Sequence, residues 1–363
     1  MTPTGRLTLY VNPKWRRAGL HTPLLNPWWG NPLGESSLFT KQIFDTYAFD
    51  THCYAITDDI QKADLVLAPY PHTWFLRHDT ALLDECARTA RKEDLPLLID
   101  GTGDVEYPVD IGNTFILRYG GYRFMSERGR LQIPLYADDL LERCRDGRFE
   151  IRKKGEGKPV VGFAGWAKLT PVLLLRTVIK ELPVRLYSIF DARYRACTKG
   201  VLWRQKAIKV LRRSPLVEFH SRTRSSFSGN LRTAEGNMIE LQEQMVDTIL
   251  QSDYALDVRG DANNSARLFE ILSLGRIPVV LDTERNFPFS DKIDYSSFAL
   301  VIDFRDIAHL SERIAEFHKN ISPERFEQMQ RNAREAYVRY FRVDALMRQI
   351  VEVLSSRLAE SRT

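Results

Sequence analysis

Ser252-Asp-Tyr-Ala-Leu-Asp-Val-Arg259-Gly260-Asp-Ala-Asn-Asn264-Ser265-Ala-Arg267-Leu-Phe-Glu270-Ile-Leu-Ser-Leu-Gly275-Arg-Ile-Pro-Val-Val-Leu281 carries the fold of this chain. An apolar run, Ser252–Val258, reads as a strand that stops at Arg259-Gly260. A polar loop follows, Asn264 or Ser265 can cap a helix, and Ser265–Leu274 has helical apolar spacing. Gly275 can close that helix before a second strand, Arg276–Leu281. Strand, loop, helix and strand, with both strands apolar on both faces, is a βαβ unit of a buried parallel sheet.

The same alternation extends in both directions. Leu7–Asn12, Lys62–Pro69 and Leu95–Asp100 read as strands, and Thr80–Arg91 as a helix with Leu82, Leu83 and Cys86 on one side. The polar stretch Arg143–Lys158 reads as an interdomain linker. Beyond it come a strand at Pro159–Phe163, a helix near Pro171–Glu181 and a strand at Val184–Ile189. Ala299–Ile302 completes the second sheet, and 322–358 is mostly helical. The expectation is α/β with two Rossmann-like lobes: an N-terminal lobe over 1–150, a C-terminal lobe over 151–340, and a helix at 341–363 that packs back on the first lobe. Open parallel sheets bind ligands beyond the carboxyl ends of their strands, so the cleft between the lobes is the expected site.

At 363 residues, with 44% hydrophobic and 27% charged, the chain suits two globular domains. Its apolar runs are of strand length, too short to span a bilayer. The start runs directly into a strand pattern without the features of a signal peptide. The four cysteines have no short metal-site or redox spacing and read as reduced thiols. The net charge of +5 conceals a concentration: 193–232 holds 11 Lys or Arg against Glu218 alone, leaving 41 basic and 46 acidic residues elsewhere. Such a patch attracts phosphates.

The chemistry concentrates in the quoted stretch. Free N–H groups at the start of the helix suit a diphosphate, and Arg259 and Arg267 can add charge-assisted bonds to it. Glu270, three residues after Arg267, shares its helix face and can accept from two ribose hydroxyls. A surface ion pair between Arg267 and Glu270 is the competing reading.

The stretch resembles the exostosin family of glycosyltransferases, in Ser252-Asp253-Tyr254-x-Leu256, Arg259-Gly260, Ser265-x-Arg267-x-x-Glu270 and Gly275-x-Ile277-Pro278-Val279. Phe287-Pro288-Phe289, Met329-Gln330-x-Asn332, Tyr340-Phe341, Ala63-Asp64…Pro69, Ile133-Pro134 and Phe163-Ala164-Gly165 extend it in order, although Arg130 stands where the family has aspartate. The Arg-rich segment 193–232 matches nothing in that pattern. The resemblance implies a GT-B fold and an inverting transferase that uses a nucleotide-sugar, generally a UDP-sugar. Carried over, it puts Arg259, Ser265 and Arg267 at the diphosphate, with Lys168 a further contact, Glu270 at the ribose, Gly165 at a turn approaching the donor and Asn264 also in the donor site. It also implies no metal or other cofactor, cationic groups and helix ends stabilising the leaving diphosphate. Donors based on GDP or CMP, or a non-catalytic sugar-nucleotide or glycan-binding protein, are the alternatives. Eukaryotic members carry a membrane anchor; its absence here leads to the expectation of a bacterial or viral enzyme in the cytoplasm, at most peripheral at the inner face of the membrane.

Inverting transfer needs a base for the acceptor hydroxyl. Asp100, ending a strand before Gly101-Thr102-Gly103-Asp104, is the first candidate, Asp104 the second and His72 the third. Trp28 and Trp29, in the long loop 13–37, are the expected stacking faces for a glycan or lipid-linked acceptor, and Tyr119-Gly120-Gly121-Tyr122 lines the same cleft. Residues 199–213, with Leu202, Trp203 and Ile208 between cations, suit peripheral contact with an anionic membrane. No nucleic-acid module accompanies that charge, and no nucleic-acid partner is expected.

Overall fold

The computed structural model describes residues 6–34, 38–125, 127–226 and 236–361. The last part of the Arg-rich segment, 227–232, lies outside them. The first lobe contains β1 (Leu7–Tyr10), α1 (Asn26–Trp29), α2 (Leu38–Thr46), β2 (Tyr54–Thr57), β3 (Leu65–Leu67), α3 (His72–His78), α4 (Thr80–Lys92), β4 (Leu97–Asp100), β5 (Thr114–Arg118) and β6 (Arg130–Gln132). After α5 (Leu140–Arg145), the second holds β7 (Val160–Trp166), α6 (Pro171–Lys180), α7 (Leu182–Phe190), α8 (Gly200–Arg213), β8 (Glu218–Arg224), α9 (Met238–Leu250), β9 (Tyr254–Asp257), α10 (Ala266–Ser273), β10 (Ile277–Asp282), β11 (Leu300–Asp303), α11 (Leu310–Asn320) and α12 (Pro323–Ala336). A π-helical turn, Tyr337–Phe341, leads into α13 (Val343–Ser361).

Both sheets are parallel, ordered β2-β1-β3-β4-β5-β6 and β11-β10-β9-β7-β8. The two-lobe α/β class expected of a GT-B fold is the one observed. In each sheet the strand order reverses between the first and third strands of the lobe, β1/β3 and β7/β9. Chain crossing away on both sides leaves a crevice there, where ligands of such sheets bind.

Local sequence accounts for the elements. α4 buries Leu82, Leu83, Cys86, Ala87 and Ala90, the apolar side of its spacing, and Asp79 caps it by accepting from Leu82 N–H at 3.0 Å. The four residues of β9 and the six of β10 are all buried, as the continuous apolar runs require. Gly275 sits at φ 62° after α10, where a Cβ would lie 2.2 Å from the Phe149 ring, so only glycine fits.

Three boundaries differ from the sequence reading. Val184–Ile189 is helical, part of α7, because the chain there lies outside the sheet on a surface with nothing to pair with. β8 runs through the Arg-rich segment as an edge strand. The first lobe ends before α5, since Leu140 and Leu141 pack with Met245, Ile249 and Ile271 of the second lobe. Leu346, Met347 and Ile350 of α13 join the apolar cluster of Leu9, Leu65 and Val66, and Arg348 pairs with Asp50 at 3.0 Å. The last helix therefore straps the second lobe to the first.

Candidate functional site

The β7/β9 crevice is floored by a side chain that the sequence reading passed over. Arg204 of α8 donates to the carbonyls of Trp166, at 3.1 Å, and Val258, at 3.3 Å, bridging the ends of the two strands. α8 comes this close because its first residue is Gly200: a Cβ there would stand 2.1 Å from the Gly260 carbonyl oxygen. Burial, and then the charge of Arg267, lowers the Arg204 pKa to about 10. Arg224, at the end of β8, is lowered by burial and by the charges of Arg267 and Arg222. Three guanidinium groups thus crowd one crevice and oppose one another's charge, an arrangement that an anion would relieve.

Arg267 projects from the first turn of α10 into that crevice, its Nη2 3.6 Å from where a Cβ on Gly165 would stand. Its Nη1 lies 3.1 Å from Glu270 Oε2, yet is buried without hydrogen-bond geometry to any described acceptor. The ion pair weighed against a ligand role is therefore present but angularly poor. Ser265 caps α10, its hydroxyl oxygen accepting from Arg267 N–H at 3.2 Å, which leaves its own proton free to donate. Lys168, exposed just beyond β7, is held through its backbone N–H to the Arg224 carbonyl at 2.9 Å. Gly165, Lys168, Ser265, Arg267 and Glu270 thus share one crevice with Arg204 and Arg224.

Two residues expected there are committed elsewhere. Arg259 is 3% exposed. Its nitrogens donate to the Tyr122 hydroxyl, to Ala196 O at 3.0 Å and to Asp261 O at 2.7 Å, so it staples the loop and does not face the crevice as a free cation. Asn264 donates to the Tyr119 carbonyl and accepts from Ser265 N–H at 2.7 Å. With Asn263, which donates to the Gly121 and Thr283 carbonyls at 2.9 Å each, it clips the lobes together. Tyr119-Gly120-Gly121-Tyr122 does line the cleft, and its Tyr122 bridges Arg285.

Opposite lies the loop after β4. Asp100 is 1% exposed, one oxygen accepting from Thr22 Oγ1 at 2.8 Å and the other from Thr102 N–H at 3.0 Å and Oγ1 at 2.6 Å. Both oxygens are occupied in holding the turn, which removes the first-choice base. Asp104 behaves differently. The residue is exposed, yet protein around its carboxyl desolvates it enough, with the Asp261 charge added from across the cleft, to raise its pKa above the ordinary 3.8. Its loop is fixed from below by Arg118, which donates to Gly101 O at 2.8 Å, Tyr107 O at 2.7 Å and both oxygens of Glu127. His72 is buried with Nδ1 unpartnered, and burial lowers its pKa.

Trp28 packs edge-on against Tyr54 at 5.0 Å, covering edge strand β2. Trp29 packs edge-on against His21 at 5.3 Å with Arg16 over its ring at 5.2 Å. The long loop instead frames a cavity of about 710 Å³ with α3, lined by Arg17, Trp74, Arg77 and His78. The membrane surface expected at 199–213 is not formed: Val201, Trp203, Ala207, Ile208 and Leu211 face the lobe interior, leaving only the cations of α8 outside. No helix among the described residues is long and apolar enough to cross a membrane.

Residues 193–317 match the family model of the exostosin GT47 domain. The match takes in the described β8–β10 core and the Arg-rich segment. The chain is 28% identical over 111 residues to the Exostosin-1 homolog of Caenorhabditis elegans, covering 30% of this chain and 28% of that protein. It thus spans well under a third of that relative. Among solved structures, the pneumococcal O-GlcNAc transferase GtfA, in complex with UDP and GlcNAc, is 11% identical, covering 82% of this chain and 56% of that one at a TM-score of 0.36. A glycosyltransferase from Rickettsia africae is 9% identical over 96% of this chain and 98% of its own, also at 0.36. TarM is 10% identical over 75% and 58%, at 0.31.

Proposed function

We propose that the chain is a glycosyltransferase moving a sugar from a nucleotide-sugar to an acceptor hydroxyl with inversion, a reading supported by the match of residues 193–317 to the exostosin GT47 domain model. The observation that carries the reading is the meeting of Arg204 and Arg267 at the ends of β7 and β9, beside the start of α10 that Ser265 caps. Arg204 and Arg267, the Ser265 hydroxyl and Lys168 hold the diphosphate in this reading. Glu270 turns from its poor pairing with Arg267 to the ribose hydroxyls.

In the transfer, the acceptor oxygen attacks the anomeric carbon as its proton passes to Asp104. The bond from that carbon to the phosphate oxygen breaks, and its electron pair leaves on the diphosphate. The guanidinium groups stabilise charge that grows on the diphosphate as the bond lengthens, in the role a metal has in other transferases. A UDP-sugar is the proposed donor class. A glycan at the inner face of the membrane is the proposed acceptor, with the cavity at Trp74 and Arg77 as its docking region.

Thermal stabilisation by UDP, GDP and CMP tests the assignment. A ligand at about 100 times its dissociation constant adds about 2.7 kcal/mol. A UDP-selective shift, lost in Arg267→Ala and Glu270→Ala, is expected. A preference for GDP or CMP moves the enzyme to another donor class, and no response to any of the three sinks the donor site.

A further inference from the structure

The two helices between β7 and α8 bury almost nothing. No residue of α6 or α7 is buried. Among the described residues, 19 large hydrophobic side chains are exposed, and ten of them fall within 171–190. Phe190 is 89% exposed, Ile189 76%, Val172 75% and Leu175 64%. A concentration of this kind on a soluble lobe marks an interaction surface.

Charge identifies what it meets. Arg176, Lys180 and Arg185 are exposed on the same two helices, and no ion pair joins them to any described residue. The one acid in the segment, Glu181, is 3% exposed, its carboxylate accepting from Lys199 N–H at 3.2 Å at the start of α8. The surface is therefore apolar and cationic with no exposed carboxylate. Two copies meeting across a twofold axis would bring these cations against their own kind. An anionic bilayer instead takes the apolar side chains among its acyl chains and the cations among its headgroups.

We propose that the α6–α7 segment docks the protein on an anionic membrane surface. The segment is tied to the second lobe at both ends: β7, whose end lines the crevice, leads into α6, and α7 leads into a short 3-10 turn whose Ala196 carbonyl accepts from Arg259. Docking therefore brings the cleft mouth to the headgroup layer. Given the transferase reading, the acceptor that meets it there is lipid-linked; the docking itself does not depend on that reading.

Flotation with vesicles of phosphatidylcholine, alone or mixed with phosphatidylglycerol, tests the proposal on the whole chain. Binding to the mixed vesicles, weakening as salt rises, is expected. Each basic residue near such a surface contributes about fivefold, so Lys180→Glu with Arg185→Glu should weaken binding about 25-fold or more. Ile189→Ser with Phe190→Ser should weaken it at least about tenfold, from the apolar area no longer taken into the bilayer. These side chains are exposed, so the fold and the thermal response to UDP should persist in every variant. Equal binding to both vesicle types overturns the proposal, as does no binding to either. So does a dimer, seen by light scattering, that the Ile189 and Phe190 changes dissolve while vesicles are ignored. A lost UDP response with vesicle binding intact counts against the transferase reading alone.

Discussion

Replacing Arg204 by methionine should stabilise the protein without ligand while weakening its grip on nucleoside diphosphates. The lowering from 12.5 to about 10 expresses the cost of keeping this guanidinium charged among Arg267 and the crevice walls. At about 1.4 kcal/mol per pH unit that cost is about 3 kcal/mol. Methionine keeps the aliphatic stem and removes the charge, but strands the Trp166 and Val258 carbonyls at about 1 kcal/mol each. The net is a gain of about 1 kcal/mol, a rise of ~2–4 °C in Tm. The sign with pH follows from the direction of the shift. Arg204 stays protonated at neutral pH whether folded or unfolded, so the cost is complete below about pH 10 and fades as pH rises through it. The advantage of the variant should therefore be flat across neutral pH. Toward UDP the order reverses. Loss of a charge-assisted bond to phosphate raises Kd ~10–100-fold. A concentration giving the wild type about 2.7 kcal/mol then gives the variant only about 0.4–1.4 kcal/mol. Scanning calorimetry with and without UDP reads both numbers. A variant that melts lower than wild type yet responds to UDP in full would refute the reasoning.

Asp104→Asn should lower kcat by about 10²–10⁴-fold with UDP affinity unchanged. Because the Asp104 pKa is raised, the base is lost as pH falls through a value above the usual 3.8, and Asp261→Asn should move that acidic limb of the pH–rate profile downward. Asp100→Asn should cost about 1–3 kcal/mol in denaturant melts, by disrupting acceptance from Thr22 and Thr102, with its effect on kcat no larger than the lost folded fraction explains. Gly200→Ala drives a methyl against the Gly260 and Arg259 carbonyls, at 2.1 and 2.4 Å before relaxation, and should lower stability by about 1–3 kcal/mol. Since the displaced loop leads to Ser265 and Arg267, UDP affinity should fall with it, and titration calorimetry on the folded variant separates the two losses.

The strands that decide the fold were legible because burial on both faces leaves an apolar run with no polar interruption, as in β9 and β10. β8 was not: Glu218-Phe-His-Ser-Arg-Thr-Arg224 is an edge strand with charged side chains toward water, and its alternation is hidden in a block that reads as charge alone. α7 misled for the opposite reason. Val184-Arg-Leu-Tyr-Ser-Ile189 is a short apolar-rich run of strand length, but Leu186, Tyr187 and Ile189 are exposed, so no sheet face selects a strand there. The same confusion put membrane contact on α8, where apolar residues between cations are the inner face of an ordinary lobe helix.

Within the site, motif and role separate at the arginines. Arg259 stands beside a strand end and a glycine, the position from which a phosphate ligand is expected, yet the backbone folds it under the loop onto Tyr122, Ala196 and Asp261. Arg204 stands in a helix some fifty positions earlier, with nothing in its neighbours to distinguish it from Lys206 or Lys209. What places it in the crevice is tertiary: the close approach allowed by Gly200, which slides α8 under the ends of β7 and β9. Charge spacing along a chain can show that cations are plentiful. Which of them loses its solvent and its counter-ion depends on where helices cross sheets, and that loss is what fits a cation to hold a leaving diphosphate.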